Sequence, residues 1–589
     1  MEDKRTALAL FLCIVFIMGY SEMFISPLTR QHVAPTQSAQ TESNAPQAAA
    51  PVAQSQQNAL PQQQQTQAAP AVNPPPAGHP SRAAIANAGE ISVTSPTVSL
   101  AISKLGGRIS RYQLVRYTLH STGKELVDMV SVPDSAPLPL GVYIGANLND
   151  EYVQYTVSGT SGGTQTAADT FSIADNSEMS VSLSGTLANG ITIQKVIKVR
   201  PDSYMLDVDV HLSQQLADGS SMWLEWSHFI SETDLHERLD PLQYTLLSAS
   251  TNKIQHLLLP DIVKTAGSTT YAVRELGDNL WVALANKYFM ATLIPTQLGP
   301  NSRLVIDNSV FRGRVLGGVV DGKFSLYVGP KDYSILKELG FGLNRAIDLG
   351  IFSFLAFPLI SVIRFFEQIF GNYGLAIILL TLIIKTLFLP LTKASIQSMR
   401  AMQDIQPEVK ALRERIKDAT QLNQEMMALY KRKGVNPMGG CLPMLIQIPV
   451  FLGLYNALLY SIELRHAPFA LWINDLSAPE SLMVLGIPVP VMILLMGASM
   501  FVQQVTSPQP SADPMQKKIM LMMPVVFTIM FVIFPFPSGL VLYWLVNNVI
   551  SIIQQVYLRS HRKASPLVAT VVSSVCIFCF AFVLTLLSK

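Results

Sequence analysis

Residues 375–391 read LAIILLTLIIKTLFLPL, an apolar run with one charged side chain, Lys385. Such a run is typical of a helix that crosses a bilayer, because about 20 residues at 1.5 Å each cover roughly 30 Å of hydrocarbon. Lys385 either snorkels to the inner surface or lies as a cation in a water-filled cavity between helices. Its distance from Lys393, roughly 12 Å at helical rise, is hard for one side chain to cover and favours the cavity.

The C-terminal half contains more apolar segments of about 20 residues, which together predict a helical core with five membrane spans. The predicted spans are 372–392, 441–462, 482–503, 519–537 and 538–558. A charge-free stretch at 566–587 predicts an extra transmembrane span. The segment 341–370 is also apolar, but polar residues such as Arg364 and Glu367 interrupt it, which favours an amphipathic helix on the membrane surface.

The N-terminal part has a different composition. Only 14% of the 589 residues are charged, and the deficit lies in residues 7–25 and in the C-terminal half. Residues 1–30 predict an N-terminal transmembrane anchor, and the Gln-, Ala- and Pro-rich residues 31–89 predict a disordered tether. Residues 90–335 contain many short strand patterns without intervening helices, which predict a large antiparallel β-sandwich.

Basic residues predict the orientation, because inner loops carry an excess of Lys and Arg. The loop at 463–481 contains only one Lys or Arg, which is Arg465, whereas residues 393–433 contain many. We therefore expect the loop 394–433 in the cytoplasm and the β-sandwich in the periplasm, outside a bacterial inner membrane. The net charge of +2 is too small to indicate nucleic acid as a direct partner. The basic residues in and next to the cytoplasmic loop are Lys393, Arg400, Lys410, Arg413, Arg415, Lys417, Lys431, Arg432 and Lys433.

Polar side chains inside the predicted spans form a candidate site around Lys385. Thr381 lies one turn before Lys385 on the same helix face, and the other spans supply polar residues but no acid that could pair with the lysine. Such stripes are typical of hydrogen bonds between helices, but together with an unpaired lysine they also indicate a hydrated, positive groove. The predicted groove-lining residues are Thr381, Gln447, Gln504, Tyr543, Trp544 and Asn547.

The cytoplasmic loop 394–433 shows helical periodicity in two stretches and predicts a helical hairpin. Its apolar residues can form the inside of a self-packed hairpin. Alternatively, methionine-rich faces can adapt to varied apolar partners. The residues on which either interpretation depends include Met399, Met402, Ile405 and Met426.

No catalytic constellation is recognisable. The sequence contains no H-E-x-x-H, G-x-S-x-G or Walker motif, and its nine histidines show no metal-ligand spacing. Cys576 and Cys579 form a C-x-x-C inside an apolar run, where small lipid-facing side chains are the simpler interpretation. We therefore expect no enzyme activity, no metal and no cofactor.

Two other functions are weaker alternatives. A secondary transporter would show internal repeats and an intramembrane acid, and neither is evident. An envelope sugar-processing enzyme would need an acid/base pair in residues 90–335, and none is evident there.

Residues 372–560 contain a series of recognisable motifs. They are PLTKAS at 390–395, QEMMALY at 424–430, VNPMGGCLPMLIQIP at 435–449, ELRHAPF at 463–469 and FPSGLVLYW at 536–544. These motifs resemble those of the YidC/Oxa/Alb family of membrane insertases, and the resemblance is specific and nearly unbroken over this range. It implies a five-helix core around a hydrophilic groove. The anchor, tether and large periplasmic domain resemble the Gram-negative layout, with a β-supersandwich domain.

The resemblance also implies function and partners. Family members insert and fold nascent membrane proteins, alone or with the Sec translocon, and receive chains from the ribosome and the signal-recognition machinery in contact with membrane lipids. Lys385 falls on the groove cation, which is usually arginine in Gram-negative members, and Thr381, Gln504 and Trp544 fall on other groove positions. The usual basic tail is reduced to Arg559, His561, Arg562 and Lys563 before an apolar run, which argues against a ribosome contact through the tail.

Overall fold

The computed structural model describes residues 79–121, 123–130, 137–144, 148–173, 177–214, 222–226, 243–258, 271–277, 279–295, 302–307, 312–319, 322–436, 442–480, 482–507, 514–534, 536–560 and 566–587. The predicted anchor at 1–30 and most of the predicted tether at 31–89 lie outside these residues. The described residues form a β domain and a helical domain.

The β domain has the predicted strand-rich architecture, and its strands follow the two-residue alternation of the sequence. In the strand Met179–Thr186, for example, buried side chains alternate with partly exposed ones. Its elements are α1 (Arg82–Asn87), β1 (Glu90–Thr94), β2 (Val98–Ser103), β3 (Ile109–Thr118), β4 (Leu126–Asp128), β5 (Gly141–Ile144), β6 (Leu148–Asn149), β7 (Thr156–Ser161), β8 (Thr164–Ala167), β9 (Thr170–Ser172), β10 (Met179–Thr186), β11 (Thr192–Val199), β12 (Met205–Leu212), β13 (Met222–Trp226), β14 (Gln243–Ser248), β15 (Ile254–Leu258), β16 (Tyr271–Gly277), β17 (Asn279–Ala285), β18 (Phe289–Pro295), β19 (Ser302–Asp307), β20 (Arg312–Val319), β21 (Lys323–Pro330) and α2 (Tyr333–Leu339).

These strands form three large sheets. One has the order β4-β3-β2-β1-β9-β8, the second β15-β14-β17-β18-β21-β12-β11-β10-β7, and the third β16-β19-β20-β13-β5-β6. The pairing is antiparallel, as predicted, except between β1 and β9, which run parallel. Apolar side chains from the three sheets pack into one core, so the domain does not depend on disulfides for its interior.

A buried ionic cluster ties the three sheets together. Lys195 on β11 lies 2.5 Å from Asp150 and donates to three backbone carbonyls, including that of Leu140 at 2.9 Å. Arg108, just before β3, donates to Glu225 on β13 at 3.1 Å. Burial lowers the pKa of Lys195, and Asp150 counteracts that effect. Because two cations face two carboxylates, each buried charge has a partner.

The helical domain follows. Its elements are α3 (Ser353–Phe370), α4 (Tyr373–Leu387), α5 (Leu389–Asp404), α6 (Gln406–Arg415), α7 (Ala419–Arg432), α8 (Leu442–Tyr460), β22 (Leu482–Val484), β23 (Ile487–Val489), α9 (Val491–Thr506), α10 (Pro514–Ile533), α11 (Ser538–Ser560) and α12 (Pro566–Leu587), with 3-10 turns at Leu343–Ala346 and Ile462–Leu464. Apolar side chains of α3, α4 and α8–α12 share one core.

Several of these helices could cross a membrane. By length and composition, Ser353–Phe370, Ser538–Tyr557 and Thr570–Leu587 are long enough as single helices. Tyr373–Leu387 and Leu389–Asp404 pass as a pair bent by 60°. The other apolar helices are shorter, namely Leu445–Tyr460, Val491–Thr506 and Lys518–Ile533.

Two predicted segments differ from the structure in their helical bounds. The stretch predicted as a span at 482–503 opens with the hairpin β22–β23, and its helix begins only at Val491, because Pro488 and Pro490 cannot donate helical hydrogen bonds. The loop 394–433 contains parts of three helices instead of two. Its first helix ends at Asp404, next to Pro407 at the start of α6.

Arginine side chains join the two domains. Arg465 donates to the carbonyls of Thr118 (2.8 Å) and Leu119 (3.1 Å) at the end of β3, and its guanidinium lies 5.4 Å from the ring centre of Phe289. Arg364 on α3 pairs with Glu463 and donates to Ser334 on α2 at 2.5 Å. The β domain is therefore held to the helical domain by arginine side chains that donate to backbone carbonyl and hydroxyl oxygens.

Candidate polar site between the helices

The start of α4 is fixed by its own cap and by close packing. Asn372 accepts a hydrogen bond from the Leu375 N–H at 3.0 Å and donates to the carbonyl of Phe469 at 3.0 Å. A Cβ on Gly374 would lie 2.0 Å from the Phe469 ring, so only glycine allows this approach. These contacts fix the position of α4 along its own axis relative to the neighbouring segments. They therefore also fix the position of Lys385, which lies in the last turn of α4.

Lys385 reaches across to α11. Its ammonium donates to the Ser551 hydroxyl at 2.7 Å, and Ser551 in turn donates to the carbonyl of Asn547 at 2.8 Å. In the part of the chain that the structure describes, no carboxylate pairs with Lys385. The positive charge therefore lies half-buried between apolar helices with a neutral hydroxyl as its contact.

Thr381 lies in the packed interior of the helical domain and is not exposed to solvent. It is buried, and its hydroxyl donates to the carbonyl of Ile377 one turn earlier, at 2.7 Å. This bond satisfies the hydroxyl within α4 itself. The expected role of Thr381 in wetting a cavity gains no support from these contacts and stays a prediction.

A second polar pair joins α8 to α11. Gln447 donates to the hydroxyl of Tyr543, which is buried in the helical core. The next residue, Trp544, packs edge-on against Phe451 at 4.8 Å and Phe531 at 5.3 Å between ring centres. Gln447 and Tyr543 are thus brought together, while Trp544 belongs to an aromatic cluster beside them.

The contacts between α9 and α11 include polar residues outside the predicted set. Asn548 donates to the buried Ser499 hydroxyl at 3.0 Å, and Thr506 donates to Gln555 at 3.0 Å. Gln504, which was in the predicted set, is half-exposed on α9. Ser551 follows Tyr543 and Asn547 at four-residue spacing, and Asn548 lies beside this stripe. The sequence therefore contained a signal for both residues but not for their partners.

The cytoplasmic helices pack on one another. Met402 and Ile405 are buried with Val409, Leu429 and Val435, and Met426 packs against this small core. Met399 is partly exposed. The self-packed interpretation of the hairpin accounts for Met402, Ile405 and Met426, and Met399 keeps part of its surface for other contacts.

The C-terminal helix α12 lies against the core. Gln554 of α11 donates to Thr570 at 2.7 Å near one end, and Phe578 packs edge-on against Phe370 of α3 at 5.3 Å near the other. Ala581 is buried in the same core. Cys576 and Cys579 are exposed on the outer side of α12.

Comparison with known proteins gives a consistent assignment. Residues 90–362 match the family model described as the YidC periplasmic domain, and residues 365–565 match the model described as 60Kd inner membrane protein. Two relatives are both described as membrane protein insertase YidC. The one from Syntrophus aciditrophicus is 38% identical over 80% of this chain and 85% of its own. The one from Geobacter metallireducens is 34% identical over 96% and 99%.

A solved structure described as an active YidC insertase with its first transmembrane domain resolved is 18% identical, with a TM-score of 0.35, over 79% of this chain and 91% of that one. The two family models together span nearly all of residues 90–565, and the relatives exceed 30% identity over most of the chain. The chain is a multi-spanning inner-membrane protein with a large β domain, and it belongs to the YidC family of membrane protein insertases.

Proposed function

We propose that this protein inserts and folds newly made membrane proteins in the inner membrane through a positive, polar groove centred on Lys385. Lys385, which pairs with no carboxylate among the described residues, carries this proposal. A cation costs least between helices where water or a polar segment can reach it. Its contact with the neutral Ser551 hydroxyl leaves the charge free to attract an acidic or polar flank of a passing chain.

The proposed mechanism needs no covalent chemistry and no cofactor. A hydrophobic client segment lies against the apolar helices while its polar flank enters the groove. Lys385 and water there lower the free energy of moving that flank part-way across the bilayer. Gln447, Gln504, Tyr543 and Asn547 are the proposed polar lining, and Thr381 and Trp544 shape it.

The proposed topology follows the distribution of basic residues. The chain spans the membrane several times, with the β domain in the periplasm and α5–α7 in the cytoplasm. We further propose that α12 is an extra span, since it is apolar and long enough to cross. If α12 spans the membrane, the basic residues Arg559, Arg562 and Lys563 belong to a short loop between two spans.

Proposed partners are nascent membrane proteins, lipids, the Sec translocon, and the ribosome with its signal-recognition machinery. With the residues after α11 proposed to re-enter the membrane, we propose the cytoplasmic helices α5–α7 as the surface that faces the ribosome. Partly exposed Met399 is the apolar side chain we expect to contribute there.

The test is insertion by the purified full-length protein in lipid vesicles. A small two-span client is synthesised in their presence, and its protection from added protease is measured. We expect protection well above that of protein-free vesicles. Equal protection in both would contradict the proposed function.

A further inference from the structure

A β-hairpin of exposed apolar side chains precedes α9. Its strands β22 and β23 pair Leu482 with Val489 and Val484 with Ile487. Met483 is 64% exposed, Leu485 98% and Ile487 65%. No side chain from 481 to 512 is charged, so the hairpin has no polar edge that would favour water.

The turn of this hairpin is unusual for an aqueous surface. Leu485 and Gly486 form it with φ values of 52° and 80°. Asn or Asp is preferred at the first position of such a turn, because their short polar side chains tolerate positive φ and hydrogen-bond locally. A leucine there is strained, and its exposure shows that no described part of the chain holds it in place.

The base of the hairpin is held rigidly. The carboxylate of the buried Glu480 accepts from the Met492 N–H at 2.5 Å, at the first turn of α9, and from the Trp472 indole at 2.8 Å. Glu480 thereby joins the two ends of the hairpin. Tryptophan is typical of the zone between lipid headgroups and hydrocarbon, so its place at the base indicates the level of the membrane interface.

The length of α9 indicates what surrounds the hairpin. Its 16 residues extend about 24 Å, less than the roughly 30 Å of a hydrocarbon core. The hairpin directly precedes its N-terminus, and each three-residue strand adds about 10 Å. We propose that the hairpin at 482–489 is embedded among the acyl chains of the outer leaflet and anchors the N-terminal end of α9 there.

Lipid accounts for this surface better than a protein partner does. Both faces of the hairpin and its tip are apolar, whereas protein interfaces combine an apolar centre with a polar rim and hydrogen bonds. In lipid, the free energy gained by burying the Leu485 side chain offsets the cost of its backbone conformation. Acyl chains also cover the whole hairpin without requiring a protein surface of complementary shape.

The test places a fluorophore at the tip. In a full-length protein with its cysteines replaced by serine, Leu485→Cys is labelled with an environment-sensitive dye and reconstituted in phosphatidylethanolamine–phosphatidylglycerol vesicles at less than one copy per vesicle. Ala188→Cys, at an exposed turn of the β domain, is the aqueous control, and Leu495→Cys, exposed on α9, is the control within the bilayer. Each variant is also assayed for client insertion, so that only folded protein is compared.

We expect the labelled Leu485→Cys variant to resemble the labelled Leu495→Cys variant. Its emission should be shifted to the blue. Nitroxide-labelled acyl chains should quench it strongly, and aqueous iodide should quench it little. Iodide quenching equal to that of Ala188→Cys would overturn the proposal. So would shielding from iodide without quenching by the labelled lipids, since that indicates a protein surface. Shielding that appears only at high protein density would point to a second copy and also overturn it.

Discussion

The ammonium of Lys385 on α4 lies 2.7 Å from the hydroxyl of Ser551 on α11, and this contact joins two helices that are far apart in the sequence. The hydroxyl accepts from the lysine while it donates to its own helix at Asn547. Ser551 therefore holds the lysine in one position without neutralising it.

Replacing Ser551 with alanine removes this acceptor. A hydrogen bond to a charged group contributes about 1.5–3 kcal/mol, so we expect the lysine to lose its fixed position and insertion of acidic-flanked clients to fall several-fold. Initial insertion rates in vesicles measure the effect. Ser574→Ala is the control, because the buried Ser574 hydroxyl has no hydrogen-bond partner among the described residues. Equal rates for both variants would contradict a positioning role.

The ionic cluster of the β domain predicts a large loss of stability on removal of one member. Lys195→Met leaves Asp150 buried without its closest cation, and we expect the free energy of unfolding to fall by about 3–5 kcal/mol. Denaturant titration of the full-length protein, followed by tryptophan fluorescence, measures it. Lys198→Met on the same strand breaks a more exposed pair with Asp209 and should cost no more than about 1 kcal/mol. If both variants lowered the free energy of unfolding by a similarly small amount, the ionic cluster would not be what holds the sheets together.

Asp128 predicts a pH dependence of stability. Burial raises the pKa of its carboxyl, although the N–H groups of Tyr112 (3.0 Å) and Val130 (2.9 Å) favour the charged form. A raised folded-state pKa means that its stabilising contribution is complete below the unfolded pKa and is lost as pH rises through the folded value.

Asparagine at position 128 keeps the acceptor without the charge. We therefore expect Asp128→Asn to be at least as stable as the unchanged protein at pH 7, with the difference shrinking in acid. Asp128→Ala, which lacks the acceptor, should be less stable at every pH. Denaturant midpoints between pH 4 and 8, a range that extends upward from the usual aspartate pKa of about 3.9, measure both variants. A variant Asp128→Asn that is less stable than the unchanged protein at pH 7 would contradict the expected effect of burial.

Arg465 predicts the coupling between the domains. Lysine cannot donate to the Thr118 and Leu119 carbonyls together in the fixed fork of a guanidinium or stack as well on Phe289. We expect Arg465→Lys to increase amide exchange at the end of β3, measured over residues 109–121. Arg345→Lys is the control, because Arg345 makes a similar two-bond contact with Asn252 elsewhere. Unchanged exchange at β3 would show that Arg465 does not hold the domains together.

Much of the architecture could be predicted from local pattern. Alternation in residues such as 179–186 predicted strands, and the apolar run around Lys385 predicted a helix with an isolated cation. The prediction of a membrane span at 482–503 was wrong at its start, because it relied on apolar character alone. Residues 482–489 are as apolar as a span, but Gly486, Pro488 and Pro490 make a hairpin of them.

Partners across the fold could not be predicted from local pattern. Arg108, Asp150, Lys195 and Glu225 are scattered over more than a hundred residues and meet only when three sheets assemble. The contact between Lys385 and Ser551 likewise depends on the packing of α4 against α11. Thr381 had the spacing expected of a groove residue, but its hydroxyl is used within its own helix.

Charge dependence of insertion tests the central claim most directly. Two clients that differ only in an acidic or an amide-bearing flank are inserted by vesicles containing the unchanged protein, Lys385→Arg or Lys385→Ala, and protease-protected product is measured. We predict that the acidic flank is favoured by the unchanged protein and by Lys385→Arg, and that Lys385→Ala loses this preference. Equal preference in all three would contradict a groove whose positive charge acts on the client.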